Sequence, residues 1–300
     1  MKHIPQKGKK SPDMEKFSLP INYTKPIQTI MRARHSVRTY QPFPVPNDDK
    51  AVLVETMRTV SEDGQRFAWF ERPPGDTLVE RLGTYGVIKG AHTFLVGVLP
   101  KGAKEEREVA LQFGWRFEQV ILKATELGLG TCWLGGTFNP NTFARDINLQ
   151  ANEQIVMVSP VGFAADSKHF IDELSTQIAD SSSRLPWDSI FFSRYLEQAL
   201  SEEEAGAFAQ PLEMVRLAPS AVNTQPWRVM RDARGFHFYG LDVRYYGITR
   251  NDFLRNNDMG IAMSHFALAC RGSQLEGKWQ VMDTMEMYKN LTYFASWIPA

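Results

Sequence analysis

The chain repeats itself. Shifting the second half back by 158 positions lays Glu213 on Glu55, Arg216 on Arg58 and Trp227 on Trp69. A shift of 146 lays Gly260 on Gly114 and Trp279 on Trp133. The order of elements repeats with them: helix, strand, long helix, Trp, strand. A repeat of this length is a folding unit used twice, so the expected architecture is two similar halves packed together. With 300 residues, 43% hydrophobic and 23% charged, the chain has enough apolar sequence to build both.

Hydrophobic periodicity places the elements. Ile27 to Arg34 has Ile27, Ile30 and Met31 on one helical face. Pro42, Pro44 and Pro46 force an extended stretch. Asn47 or Asp48 then caps a helix running to Val60. Ala91 to Leu99 and Gln154 to Phe163 read as buried strands. Glu105 to Leu127 is a long helix with Val109, Phe113, Phe117, Val120, Ile121 and Ala124 along one side, stopped by Gly128-Leu129-Gly130. Cys132 to Leu134 reads as short and buried. In the second half, Phe236 to Leu241 and Leu291 to Ile298 read as strands, Arg244 to Tyr246 as an aromatic loop and Asp258 to Cys270 as a helix. The expected division is an arm at 1–26, a first repeat at 27–164, a crossing linker at 165–190 and a second, degenerate repeat at 191–300.

Charge and cysteine content narrow the function classes. Lys plus Arg and Asp plus Glu both total 34, giving a formal net charge of zero. That gives no basis for a nucleic-acid or anionic-membrane partner, so any cationic site must be local. Cys132 and Cys270 lie in apolar contexts without metal-ligand spacing, as expected of buried thiols in a reducing compartment. No secretory h-region opens the sequence, and no apolar run is long enough to span a membrane, so the expected location is the cytoplasm.

Three strings carry polar chemistry. Arg34-His35-Ser36-Val37-Arg38 offers two guanidinium groups and a hydroxyl, suited to a phosphate or an electron-rich ring edge. It reads equally as a solvated basic helix end. The segment 128–136 resembles neither a Rossmann fingerprint, since its glycines follow a helix, nor a P-loop, since Gly136 stands where the lysine belongs. Ala218-Pro-Ser-Ala-Val-Asn-Thr-Gln-Pro-Trp227 packs Ser220, Asn223 and Gln225 between two prolines. These side chains can pair with an amide-bearing ring, or simply cap a turn. No GxSxG or HExxH motif supports hydrolysis.

RHSVRTY (34–40), GLGTCW (128–133), SPVGFA (159–164), RLPW (184–187) and APSAVNTQPW (218–227) together resemble the signature segments of the nitroreductase family of FMN enzymes. The resemblance runs from about residue 27 to the C-terminus. One departure matters. In typical members the APSxxNxQPW string follows the RxSxR string by about thirty residues; here it begins 182 residues after Ser36. The expected position, Ser61 to Trp69, has lost the Pro, Ser and Asn. The chain therefore resembles the internally duplicated branch, in which a fused monomer imitates a homodimer.

What the resemblance implies is an α+β, nitroreductase-like fold of two repeats, with antiparallel-type sheets flanked by helices. It also implies one FMN, held by segments from both repeats. Arg34, Ser36 and Arg184 would take the phosphate, with His35 nearby. Arg38 would sit at the pyrimidine edge of the flavin. Pro160, Val161 and Gly162 would line one face of the ring, with Gly130 and Thr131 as neighbours. Pro219, Ser220, Asn223 and Gln225 would come from the second repeat, and Lys168 is a further phosphate candidate. The implied activity is NADH- or NADPH-driven reduction of nitroaromatics, quinones or related small electron acceptors, without a covalent catalyst or a metal. A more specialised flavin enzyme of the same fold, a reductive dehalogenase or dehydrogenase, and a non-catalytic FMN-binding protein are the alternatives.

Overall fold

A computed structural model describes residues 14–62, 64–73, 88–165, 183–194, 197–245, 249–283, 285–286 and 288–300. In chain order the principal elements of the first half are α1 (Ile27–Ala33), α2 (Asn47–Val60), β1 (Arg66–Glu71), β2 (Thr93–Pro100), α3 (Arg107–Glu126), β3 (Gly130–Thr131) and β4 (Glu153–Gly162). The second half supplies β5 (Phe191–Ser193), α4 (Ala209–Arg216), β6 (Trp227–Arg231), β7 (Phe236–Leu241), β8 (Arg244–Tyr245), β9 (Thr249–Arg250), α5 (Asp252–Gly272), β10 (Gly277–Gln280) and β11 (Leu291–Pro299).

The two main sheets have the same topology. The first runs β1-β2-β4-β3, and the second runs β10-β11-β7-β6-β5. Under the sequence repeat, β6, β7, β10 and β11 are the counterparts of β1, β2, β3 and β4, so the shared order is the same in both sheets. Every pairing within this shared set is antiparallel. The addition is β5, which joins the second sheet parallel to β6. The Phe236–Phe238–Phe266–Trp279–Trp297 cluster fills the second core, and Phe67, Phe113 and Phe117 fill part of the first.

The long helices α3 and α5 pack on each other through the middle of the molecule. Both are buried around most of their circumference, which is why their sequences look apolar on more than one face. A Cβ at Gly114 would lie 2.1 Å from the Asn257 carbonyl oxygen, and one at Gly260 would lie 2.0 Å from that of Leu111. Gly114 and Gly260 correspond under the 146 shift, and so do Leu111 and Asn257. The contacts are reciprocal, as a twofold axis between the halves requires. The fold is thus a fused pseudo-dimer of α+β units.

Several expectations shift. The helix expected from Asp258 begins at Asp252, where the Asn251 side chain caps it by accepting the Leu254 N–H. Its early residues Arg255, Asn256, Asn257 and Asp258 are polar but buried, so hydrophobic periodicity hides this end. The expected loop at Arg244 pairs instead with Thr249–Arg250; Tyr246 lies outside the described residues. Of the N-terminal arm, the described part is pinned to the body. Phe17 meets the Trp115 ring edge-on at 5.3 Å, and Trp115 Nε1 donates to the Ser18 carbonyl at 2.7 Å.

Candidate functional site

The segment after α1 leaves the helix at Arg34 in extended conformation. It runs beside β3: Ser36 bridges Thr131 in parallel, and the Val37 N–H donates to the Thr131 carbonyl at 2.8 Å. Extended backbone sends alternate side chains to opposite sides. Val37 is buried against Gly130, where a Cβ would lie 2.5 Å from Val37 Cγ2. Arg34, Ser36 and Arg38 line a cavity of about 470 Å³. His35 does not: it is exposed, with Nδ1 3.0 Å from the Ala33 carbonyl.

The opposite wall comes from the second half. Pro219, Ser220, Val222, Asn223 and Gln225 line the same cavity, as do Asn257 and Asp258 of α5. The loop is tightly specified. Ser220 Oγ accepts the Gln225 N–H at 2.8 Å, and Asp258 Oδ1 accepts the Ala221 N–H at 3.0 Å. Val222, Asn223 and Gln225 all have positive φ, at 52°, 54° and 46°. For a β-branched valine that is a strained conformation.

Asn223 and Gln225 are engaged with protein more than the sequence suggested. Asn223 Nδ2 donates to the Ser183 carbonyl at 3.0 Å, and Gln225 Oε1 accepts the Leu185 N–H at 2.9 Å. Arg184 donates to Asn223 Oδ1 at 3.2 Å and to the Leu217 carbonyl at 3.2 Å. These two amides therefore clamp the 183–185 segment and carry Arg184 to the cavity wall. That role uses the same donors and acceptors that the sequence offered to a ring.

The electrostatics favour an anion. Burial, then the nearby cations Arg34 and Arg216, push the Arg184 guanidinium down to about 10. Burial likewise lowers Arg34, with Glu118 opposing it. Arg34 Nε is buried without a hydrogen-bond partner among the described residues. Two guanidinium groups that repel each other across a cavity are relieved by a doubly charged oxyanion.

The remaining sequence candidates frame the cavity without lining it. Gly130 and Thr131 pair with Gly162 and Val161, closing the sheet edge that carries Arg34 to Arg38. Pro160 pairs with Phe94 deeper in the sheet. Lys168 lies outside the described residues. Cys132, Trp133, Asn257 and Asp258 are lining residues that sequence reasoning left out. Burial raises the Cys132 thiol, with the Arg38 guanidinium opposing it. Among the described residues, no cluster of His, Cys, Asp and Glu is placed to hold a metal, and no helix is long and apolar enough to cross a membrane.

A family model described as "Putative TM nitroreductase" matches residues 26–270. The chain belongs to this nitroreductase family. Among solved structures, a putative nitroreductase from Thermotoga maritima aligns over 93% of this chain and 95% of its own, at 18% identity and a TM-score of 0.55. That likeness shows the shared fold across both halves. A nitroreductase with bound FMN from Bacteroides fragilis aligns over 50% of this chain and 94% of its own, at 18% identity and a TM-score of 0.38. A nitroreductase family protein from Clostridium novyi covers 47% of this chain and 86% of its own, at 20% identity and a TM-score of 0.39. No curated protein matches the chain. Family and fold together make this nitroreductase-family protein an oxidoreductase.

Proposed function

We propose that this chain is an FMN-dependent oxidoreductase that takes reducing equivalents from NADH or NADPH and passes them to small electron-poor acceptors, nitroaromatics or quinones, in a ping-pong cycle. The observation that carries the reading is the pair Arg34 and Arg184. They are brought together from the two halves and held in mutual repulsion beside the Ser36 hydroxyl. FMN carries a phosphate of about −1.5 to −2 charge, which fits that cradle.

When bound, FMN would supply the two-electron carrier of the reaction. The protein's own groups bind and orient it. Arg34, Arg184 and Ser36 would hold the phosphate. Arg38, on the same face of the extended segment two residues beyond Ser36, would place positive charge by the ring. Trp133 and the Val222 side chain give the cavity apolar surface for a flat ligand. In this reading the flavin protein works as a monomer in the cytoplasm, since the second half supplies the wall that a partner subunit would.

The test is the absorption spectrum of the purified protein, followed by anaerobic titration with NADH and NADPH. Yellow protein that releases FMN on heating and bleaches with either nucleotide supports the reading. Protein that stays colourless after incubation with FMN overturns it.

A further inference from the structure

Asn257 sits on α5, 1% exposed, in the wall of the cavity contributed by the second half. Its side chain makes no hydrogen bond to any described residue, and Oδ1 is buried without a partner. Buried polar side chains are almost always paired, so this one calls for a reason. Its neighbours have theirs. Asp258 accepts the Ala221 N–H, and Arg255 is paired with Asp242 and Asp252. The Asn257 backbone is fixed, because its carbonyl oxygen lies at the close approach to Gly114. The amide therefore cannot back away to find water. Its counterpart under the repeat is Leu111, an apolar residue of the closed core. The polar side chain stands where the helix faces the cavity.

We infer that Asn257 is a flavin-contacting residue whose amide is paired only when the ligand is bound. This inference rests on the FMN reading of the cavity. The chemistry fits. Arg34, Arg38, Arg184 and Ser36 all offer donors to the phosphate and ring carbonyls. The flavin also carries N–H and O–H donors, in its imide and ribityl chain, and these need acceptors. The Asn257 amide carries both an acceptor and donors.

In flavin-free protein, Asn257→Leu replaces an unpaired buried amide by an apolar side chain with the same branching and heavy-atom count, so the melting temperature should hold or rise by roughly 2–4 °C. In the same variant FMN affinity, followed by quenching of flavin fluorescence, should fall about tenfold. Stability and affinity would move in opposite directions. Asn257→Ala, which only removes atoms, should show the same loss of affinity if leucine does not fit. A variant that binds FMN as tightly as the wild type overturns the inference while leaving the FMN reading intact. Asn257→Leu that loses stability in the flavin-free state overturns it too, because the amide would then be structural. Wild-type protein that binds no FMN overturns both.

Discussion

His265 and Glu118 are paired across the two halves, Nε2 to Oε1 at 2.8 Å, with neither side chain exposed. Glu118 comes from α3 and His265 from α5. The other imidazole nitrogen lies 2.9 Å from the Met214 carbonyl, and the other carboxylate oxygen accepts Trp133 Nε1–H at 3.0 Å. Since Met214 offers only an acceptor, Nδ1 must carry a hydrogen. The pair is then either carboxylate with imidazolium or carboxylic acid with neutral imidazole, and in both forms every polar atom is satisfied.

That inventory separates two substitutions. Glu118→Ala strips His265 and Trp133 of their partner inside the core, and should cost about 3–5 kcal/mol in urea unfolding. Glu118→Gln can satisfy the same neighbours. Its carbonyl accepts from Trp133 and its NH2 donates to a neutral His265, so most of that loss should disappear. Equal losses for the two variants would show that the hydrogen-bond arrangement is not what matters there.

Val222 carries strain at the mouth of the cavity. Its φ of 52° belongs to a region that costs a non-glycine residue about 1–2 kcal/mol, and the residue is 46% exposed. Asparagine tolerates that conformation and adds none of the unfolded-state entropy of glycine. Val222→Asn should therefore stabilise the flavin-free protein by about 1 kcal/mol, read as a melting temperature roughly 2 °C higher. A lower melting temperature would mean that the valine is held there by contacts worth more than the strain.

Arg34 and Arg184 repel each other at the cavity wall. Inorganic phosphate should protect the flavin-free protein against thermal unfolding, by mass action on the folded state. Arg184→Met should abolish that protection and weaken FMN binding by about tenfold or more, as expected for a lost charge-assisted hydrogen bond. Arg34→Met should do the same. Phosphate protection that persists in both variants would place the anion site elsewhere.

Much of the fold was legible because the repeat survives where packing forbids change. Gly114 and Gly260 match under the shift, and the structure shows why: neither position has room for a Cβ between α3 and α5. The strands 93–100 and 153–162 were readable because both faces are buried, giving continuous apolar runs. The start of α5 was not, because Arg255 to Asp258 serve ion pairs and the cavity wall where periodicity expects apolar residues. Arg34, Ser36 and Arg38 were named from their donor chemistry and from the resemblance; the extended backbone, seen only in the structure, is what sends all three to the cavity. His35 lies between them and points away. Asn223 and Gln225 show the limit of strings: an amide that can pair with a ring can equally clamp a neighbouring segment, and only the position of Ser183 and Leu185 decides.

The last prediction is one FMN per chain, bound without dimerisation. The cavity lies to one side of the pseudo-twofold. Asn257, Asp258 and Ile261 line it; their counterparts Leu111 and Trp115 are packed into the apolar core of the second half, with Phe17 edge-on against the Trp115 indole. Gly130, which lets Val37 pack and so positions the arginine segment, corresponds to Glu276. A carboxylate at that position would repel a phosphate-bearing ligand. On the same side, Ser61 to Trp69 lacks the Pro, Ser and Asn of the 218–227 loop, and Glu62 of that stretch is paired with Arg116. On the proposed reading the second site is lost to core packing, while the first has walls from both halves within one chain. Flavin absorbance measured together with mass by light scattering should give one FMN on a particle of 34.2 kDa. Two flavins per chain, or flavin held only by a particle of twice that mass, would contradict it. Trp115→Ala should destabilise the chain by about 3–5 kcal/mol and still create no second flavin site, because Glu276 stands where the first half has Gly130.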